Sequence, residues 1–482
     1  MIPYCKAAFL ILYTFSTVLV SGQSFSDFQS LKDDDTRLKS LVDDITRQYE
    51  QDIASITGPN KKYIIGIYKE RLQLLKQRFS ENEIITSPEA NNYLGSLVNE
   101  ILKNNSHLNA QSLRVVFSRA PLPNASSYGE GTILFNIGLF NRLNNESQAV
   151  FVLCHELAHY FLNHSNNNIQ QYVNTVYSDD FQKQLKKIQK LEFQQGDQLE
   201  KLTMRLMFKS RRHSREFEQA SDSMALELMK NTSFDIREAL TVLALLDSVD
   251  KDKYDTDLGL QKHFNSISHP FQDRWLEKEE LLVMKSEKEE KERSKLADSL
   301  KTHPDCKIRI DKLSENVNKY YKPNSSKFLI SEKEFVKFKE TFDFEIIEHC
   351  YQSERLSLSL YYALEMLHFY PDNAYLHAAI GKCLNTIYIN QKKHQLGNMI
   401  DLPNPRFEER YNTLLNFIQN LRLQEVAALS YYFLFKEANR FSTNEDFVYA
   451  LIISKDNFNR PEEKKQWINF YKTNFPKGKY TF

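Results

Sequence analysis

Apolar residues along the chain fall mostly at helical spacing. Between Ser24 and about Ser80, Leu38, Leu41, Val42, Ile45 and Tyr49 trace one stripe separated by Asp, Lys and Arg, as in a helix that packs on one face. A second stripe begins after Ser87-Pro88 with Tyr93, Leu94, Leu97, Val98, Ile101 and Leu102, and stops in the polar run Asn104 to His107. The period then changes. Arg114-Val115-Val116-Phe117 and Thr132-Ile133-Leu134-Phe135 are short β-branched and aromatic runs set apart by Pro121, Pro123, Gly129 and Gly131, and they predict strands. Helical spacing returns at Asn145, which forms a capping box with Gln148. The helix it starts runs to about His164 and is apolar on most sides.

A polar helical stretch from about Phe181 to Ser210 leads into Arg215 to Asp222 and continues to Met229. Glu277 to Lys295 is dense in Glu and Lys, the pattern of a solvated helix with ion pairs one turn apart. Beyond Tyr321 the strand signals disappear, and helical segments recur with breaks at Pro371-Asp372-Asn373 and Pro403 to Pro405. From Leu364 to Leu384 the order Leu, Pro371, Asn373, Leu376 and Gly381 has the spacing of a junction between tetratricopeptide helix pairs, although neighbouring copies fit poorly. The expected fold is mainly α with a small β-sheet (α+β). A helical segment at 23–80 precedes a mixed domain at 81–320 and an all-α, helical-repeat-like domain at 321–482.

Composition narrows this picture. A chain of 482 residues, 41% hydrophobic, can bury two or three cores, and only 12 glycines and 13 prolines suit a helical protein. The formal net charge of 0 supplies no global field to recruit nucleic acid, so no such partner is expected. Lys6, the apolar run Ala7 to Val20, and Ser21-Gly22 before Gln23 have the layout of a secretory signal peptide cleaved near Gly22. An uncleaved membrane anchor is the alternative. Later segments show no membrane-spanning run, so an exported protein, periplasmic, in the cell envelope or secreted, is expected. The five cysteines show no CxxC spacing; Cys154 reads as a buried hydrophobe, and Cys350 and Cys383 can pair if their helices are neighbours. Asn-x-Ser triplets such as Asn163-His164-Ser165 carry little weight inside such a helix.

The chemistry centres on His155-Glu156-Leu157-Ala158-His159. Histidines four apart leave one face of a helix and can grip one metal ion, with Glu156 beside them within reach of a water. The candidates for a third ligand are His164, Asp179, Asp180 and Glu218. The metzincin pattern needs a glycine and a histidine six residues beyond the second ligand, whereas His164 lies five beyond with no glycine between, so it reads as a residue behind the ligands or on the surface. A thermolysin-like glutamate about twenty residues on is absent at Ser178-Asp179-Asp180. Glu218 remains, with Asp222 one turn later to accept a hydrogen bond from a ligand histidine. The small Ala220 and Ser221 are expected to let the two helices approach.

At these residues the chain resembles the HtpX-like and CAAX-prenyl-endopeptidase family of zinc metallopeptidases. The resemblance covers roughly Glu81 to Asn316 and rests on Asn124-Ala125 before the second strand, the HExxH stretch with His164 behind it, Glu218 to Asp222, and Thr302-His303-Pro304-Asp305 followed by Arg309. It implies one zinc ion per chain on His155, His159 and Glu218, with Glu156 as the catalytic carboxylate and Asp222 behind the ligands. It also implies that His303 and Arg309 help hold the oxyanion or the site around it. The chain departs from the family pattern by Ser221 where alanine is usual, and by a second His-Pro pair, His269-Pro270; Arg309 lies six residues beyond His303, as the motif has it, whereas Arg274 lies five beyond His269.

The implied reaction is hydrolysis of peptide bonds in protein substrates. Glu156 takes the proton of the attacking water and passes it to the leaving nitrogen. The strand at Asn124 to Ser126 binds extended substrate by strand addition if it borders the cleft. Exported family members with tetratricopeptide domains imply a role in envelope protein quality control, with protein partners recruited through the C-terminal helical domain. The alternative is a chaperone or scaffold whose metal site is latent, the polar stretch from Phe181 to Ser210 covering the cleft.

Overall fold

The computed structural model describes residues 28–191, 195–247, 257–278, 306–405 and 407–482. His303, the signal-like stretch at 1–22 and most of the charged run at 277–295 lie outside the described residues. In chain order the helices are α1 (Asp35–Ser55), α2 (Lys61–Ser80), α3 (Pro88–Lys103), α4 (Ile137–Phe140), α5 (Glu146–Phe161), α6 (His164–Val176), α7 (Asp179–Gln189), α8 (Gln195–Lys230), α9 (Glu238–Leu246) and α10 (Leu260–Phe264). They continue as α11 (Cys306–Tyr320), α12 (Glu332–Gln352), α13 (Leu356–Phe369), α14 (Ala374–Lys392), α15 (Glu409–Asn420), α16 (Leu423–Phe435), α17 (Glu445–Asn457) and α18 (Pro461–Asn474). The strands are β1 (Ile84–Ile85), β2 (Arg114–Ser118), β3 (Ala125–Ser127) and β4 (Thr132–Asn136). The protein is thus α+β, mostly helical around one small sheet.

The sheet has the order β1-β2-β4-β3. β2 and β4 run parallel, Val116 opposite Leu134, and β1 and β3 pair antiparallel on the two sides. Because side chains alternate across a strand, Ile85, Phe117, Ile133 and Phe135 face α3 and α5, while Ile84, Val116 and Leu134 face α1, α2 and α6. Every residue of β4 is buried, which is why its middle, Ile133-Leu134-Phe135, is apolar on both faces with no alternation.

Several predicted boundaries moved. The N-terminal helical stretch is two helices, parted where Gly58 takes a positive φ of 98° before Pro59. The metal-motif helix ends at Phe161, short of His164, because Asn163 adopts a left-handed φ of 56° and restarts the chain as α6. The polar helical stretch divides into α7 and α8. Two-residue β1 has too few positions to show any period, and no sequence signal marked it.

The C-terminal helices pack on one another, with α14 against α13, α16 and α17. Gly381 on α14 lies against Leu434 on α16, where an added Cβ would meet the end of the leucine side chain at 2.7 Å and force it to shift. Among the described residues, three of the ties between these helices and the rest of the chain run through large buried or charged groups. The aromatic helix α12 gives Phe335, Phe338 and Phe342 to the core around the sheet, and Phe344 and Ile347 to the C-terminal core. The segment 257–278 sends Phe264 and the fully buried Trp275 into that C-terminal core. Near the N-terminus, Asp33 accepts hydrogen bonds from the backbone of Thr86 (2.5 Å) and Ser87 (3.1 Å) and pairs with Arg119 at 2.8 Å; Arg119 also binds Glu345 on α12 at 2.8 Å. Cys154, Cys306, Cys350 and Cys383 are all free and buried, so Cys350 and Cys383 form no bond.

Trp275→Ala removes a fully buried indole that the 257–278 segment sends into the C-terminal core. It is expected to cost about 3–5 kcal/mol of unfolding free energy in a denaturant titration; a loss below about 1 kcal/mol would show that the 257–278 segment does not hold the C-terminal core together.

Candidate metal centre

Helix α5 is fixed before its histidines are placed. The Asn145 side chain accepts a hydrogen bond from the Gln148 N–H at 3.0 Å, and the Gln148 side chain accepts from the Asn144 N–H at 2.7 Å, so the return arm of the capping box falls one residue earlier than its usual place. Buried Glu146 accepts hydrogen bonds from the backbone N–H groups of Leu329, Ile330 and Ser331, each at 2.8 Å. Nine and thirteen residues beyond Glu146, the imidazoles of His155 and His159 emerge on one face, where α8 crosses.

At that crossing Glu218 meets both rings. Its two oxygens lie 3.4 Å from His155 Nε2 and 3.3 Å from His159 Nε2, and the two Nε2 atoms are 3.0 Å apart. In a tetrahedral site with metal–ligand bonds of about 2.0–2.1 Å, the ligand atoms stand about 3.3–3.4 Å from one another. The two histidine–carboxylate separations match that spacing, each with a different Glu218 oxygen, and the two Nε2 atoms stand slightly closer; two imidazoles with a carboxylate are a suitable donor set for a divalent metal.

Behind this triangle lies a layer of charge. Asp222, one turn beyond Glu218, is 3.0 Å from His155 Nδ1. It accepts both arms of the Arg309 fork, from Nε at 2.7 Å and Nη2 at 2.6 Å, and Arg309 Nη1 lies 3.5 Å from Glu218. Burial disfavours charge on Asp222, His155 and Arg309, yet pairing wins at all three. Arg309 and His155 hold the Asp222 carboxyl below its usual range, and hydrogen bonds to Asp222 and Glu218 raise the His155 pKa to about 10. The two carboxylates therefore draw positive charge toward His155.

His164 occupies a place that the sequence flagged without fixing. Its Nδ1 is 3.1 Å from His159 Nδ1 and 3.1 Å from Ser221 Oγ, and its ring stacks on Phe217 at 4.2 Å. Burial and the neighbouring His159 lower its pKa to about 4, so it is neutral and can accept a hydrogen from His159 Nδ1. Each candidate ligand histidine thus has its own partner: a carboxylate for His155, a neutral imidazole for His159. Ser221 is fully buried at the helix contact, whereas Ala220 is exposed on the outer face, so only one of the two small residues lies at the approach of the helices.

Asn124 and Ala125 line the same pocket as His155, Glu156 and Arg309, together with Phe151, Val152 and Leu246. Sequence reasoning missed Leu246, because nothing local ties α9 to the histidines. Asp179 and Asp180 open α7 and belong to no metal-binding group among the described residues. His269 and Arg274 belong elsewhere: His269 stacks on Trp275 and Tyr432, and Arg274 pairs with Glu425, all among the C-terminal helices.

Asp222→Asn is expected to weaken metal binding about 10–100-fold in a competition titration with a chromophoric chelator, because it removes the charge that orients His155. Unchanged affinity would detach Asp222 from the metal centre.

Residues 88–317, a little under half of the chain, match the family model of peptidase family M48. The match, taken with the His155, His159 and Glu218 grouping, supports a zincin-type metallopeptidase domain with protein substrates. No curated protein matches the chain.

Proposed function

We propose that this M48-type domain is a zinc-dependent endopeptidase, with His155, His159 and Glu218 holding one zinc ion and Glu156 as the catalytic carboxylate. One observation carries the reading: three donor atoms of suitable chemistry lie within 4.8 Å of one another, and Glu156 lines the pocket beside them with the edge strand as a wall. When bound, zinc supplies Lewis acidity that activates water near neutral pH and polarises a carbonyl.

The chain's own groups do the rest. The Glu156 carboxylate takes a proton from the attacking water and delivers it to the leaving nitrogen. Asp222 and His164 accept the Nδ1 hydrogens of His155 and His159, which leaves each Nε2 lone pair facing Glu218. Arg309 acts as a positioning residue, since its fork is committed to Asp222 and its remaining nitrogen reaches Glu218. His303 keeps in this reading the oxyanion-stabilising role implied by its motif.

Substrate binding follows from the sheet. Asn124 O accepts from Asn136 N at 3.1 Å and Tyr128 N donates to Thr132 O at 2.8 Å. By antiparallel alternation the main-chain groups of Ala125 and Ser127 face away from β4. Among the described residues β3 pairs with β4 alone, so an extended chain can add here as a further strand, held by its main chain and therefore with broad sequence tolerance. We extend the proposal to an exported enzyme of envelope protein quality control, with partners recruited through the tetratricopeptide-like C-terminal helices. The signal-like N-terminus supports export, and no helix among the described residues is long and apolar enough to cross a membrane.

A latent form of the site is a second reading, favoured by burial: His155 and Glu156 are 5% exposed and Glu218 6%. In that form the helical region acts as a chaperone or scaffold.

Cleavage of an unfolded protein is expected to be chelator-sensitive, with zinc near one per chain by metal analysis. Glu156→Gln should lower turnover by about 10²–10⁴-fold or more while zinc content holds. Undiminished cleavage by Glu156→Gln would refute the mechanism; client binding that survives this substitution, with no turnover by the wild type, would favour the scaffold.

A further inference from the structure

The edge of the sheet continues past Glu156. β3 runs alongside α5, with Ala125 in the pocket of Val152, His155 and Glu156. At the other end of the β3–β4 turn, a Cβ on Gly131 would lie 3.4 Å from the Tyr160 ring, near the end of α5. Gly129, in the same turn, lies so close to α6 that a Cβ would sit 2.3 Å from Asn166 Oδ1. Glycine there admits the Asn166 carboxamide against the end of the edge strand.

Beyond this contact opens a cavity of about 520 Å³ between α6 and the connection of α1 to α2. Asn163, Asn166, Gln170 and Asn174 form one wall, and Asn60 and Asp52 stand opposite. Residues 166, 170 and 174 are one helical turn apart and form a single stripe. A carboxamide offers two N–H donors and an oxygen with two lone pairs, which matches the alternating N–H and C=O of an extended peptide. A bond across the cavity, Asn60 Nδ2 to Asn174 Oδ1 at 3.1 Å, and one within the wall, Asn166 Nδ2 to Asn163 Oδ1 at 2.7 Å, use only part of that capacity. No Lys or Arg lines the cavity, so phosphate-bearing ligands meet no cation there.

We propose that this cavity is a distal peptide-binding groove, which takes the main chain of an extended polypeptide as it leaves the edge of β3. The inference rests on the peptidase reading of the neighbouring pocket and adds a substrate requirement to it. From Ala125 to Gly129 a paired strand advances about 13 Å at roughly 3.3 Å per residue. The stripe from Asn163 to Asn174 spans about 16 Å of helix, enough for about five extended residues. The favoured substrate is therefore a long unfolded segment, reaching about nine residues from the scissile bond on one side, with little demand on its side chains.

The test separates the groove from catalysis by measuring binding without turnover. Full-length Glu156→Gln protein is titrated with fluorescent, unstructured, uncharged peptides of about 6 and about 18 residues. The long peptide is expected to bind at least about tenfold tighter, as two or three hydrogen bonds of ordinary net worth would give. Adding Gln170→Ala with Asn174→Ala, both at exposed positions, should bring the ratio of the two affinities close to one. Equal affinities in the parent, or a length advantage that survives the two substitutions, would overturn the groove. So would absence of a length effect combined with binding of a neutral oligosaccharide that the same substitutions abolish. Cleavage of the short peptide by the wild type reports on the peptidase reading alone, so the two ideas fail separately.

Discussion

Two carboxylates buried on one turn of a helix are unstable company, and the centre of this protein depends on how they are neutralised. Glu218 and Asp222 are 6% and 2% exposed, and both face the same histidine. Left unpaired, either would favour protonation or a more open structure. Arg309 prevents this by binding Asp222 through two hydrogen bonds and leaning its third nitrogen toward Glu218. One guanidinium against two carboxylates leaves a residual negative charge. That charge faces His155 and His159, and it attracts a proton or a metal ion between them.

The rest of the domain serves to keep α5 and α8 in this crossing. Caps and the Glu146 anchor fix the start of α5, the sheet buries one of its sides, and fully buried Ser221 marks where α8 comes closest to His164. The same packing sets β3 beside Glu156 with its outer edge unpaired by any other described strand. Glu156 and the edge strand are therefore positioned by one helix, α5, which carries the first and supports the second.

The C-terminal helices are coupled to this arrangement through shared packing. Helix α12 has aromatic side chains in both cores, and Trp275 carries a segment of the peptidase-family match into the C-terminal core. The Asp33–Arg119–Glu345 network adds a polar tie across the same junction. Movement of the C-terminal helices would therefore be felt by the 257–278 segment and by α12.

Local patterns were legible wherever the physical signal is local. The stripe from Leu38 to Tyr49, the runs at 114–117 and 132–135, and the Asn145 cap each correspond to an element in the structure, because periodicity and capping act within a few residues. The spacing of His155 and His159 determined that their rings share a face, and the sequence also gave Glu218 and Asp222 one face of a second helix. Tertiary structure alone decided that those faces meet, that Arg309 closes on Asp222 and that His164 swings back to His159 through a left-handed Asn163. It likewise decided that Leu246 enters the pocket and that His269 and Arg274 do not belong to it. These are contacts between residues tens of positions apart, set by how helices pack, and no periodicity in the chain encodes where two packed helices will cross.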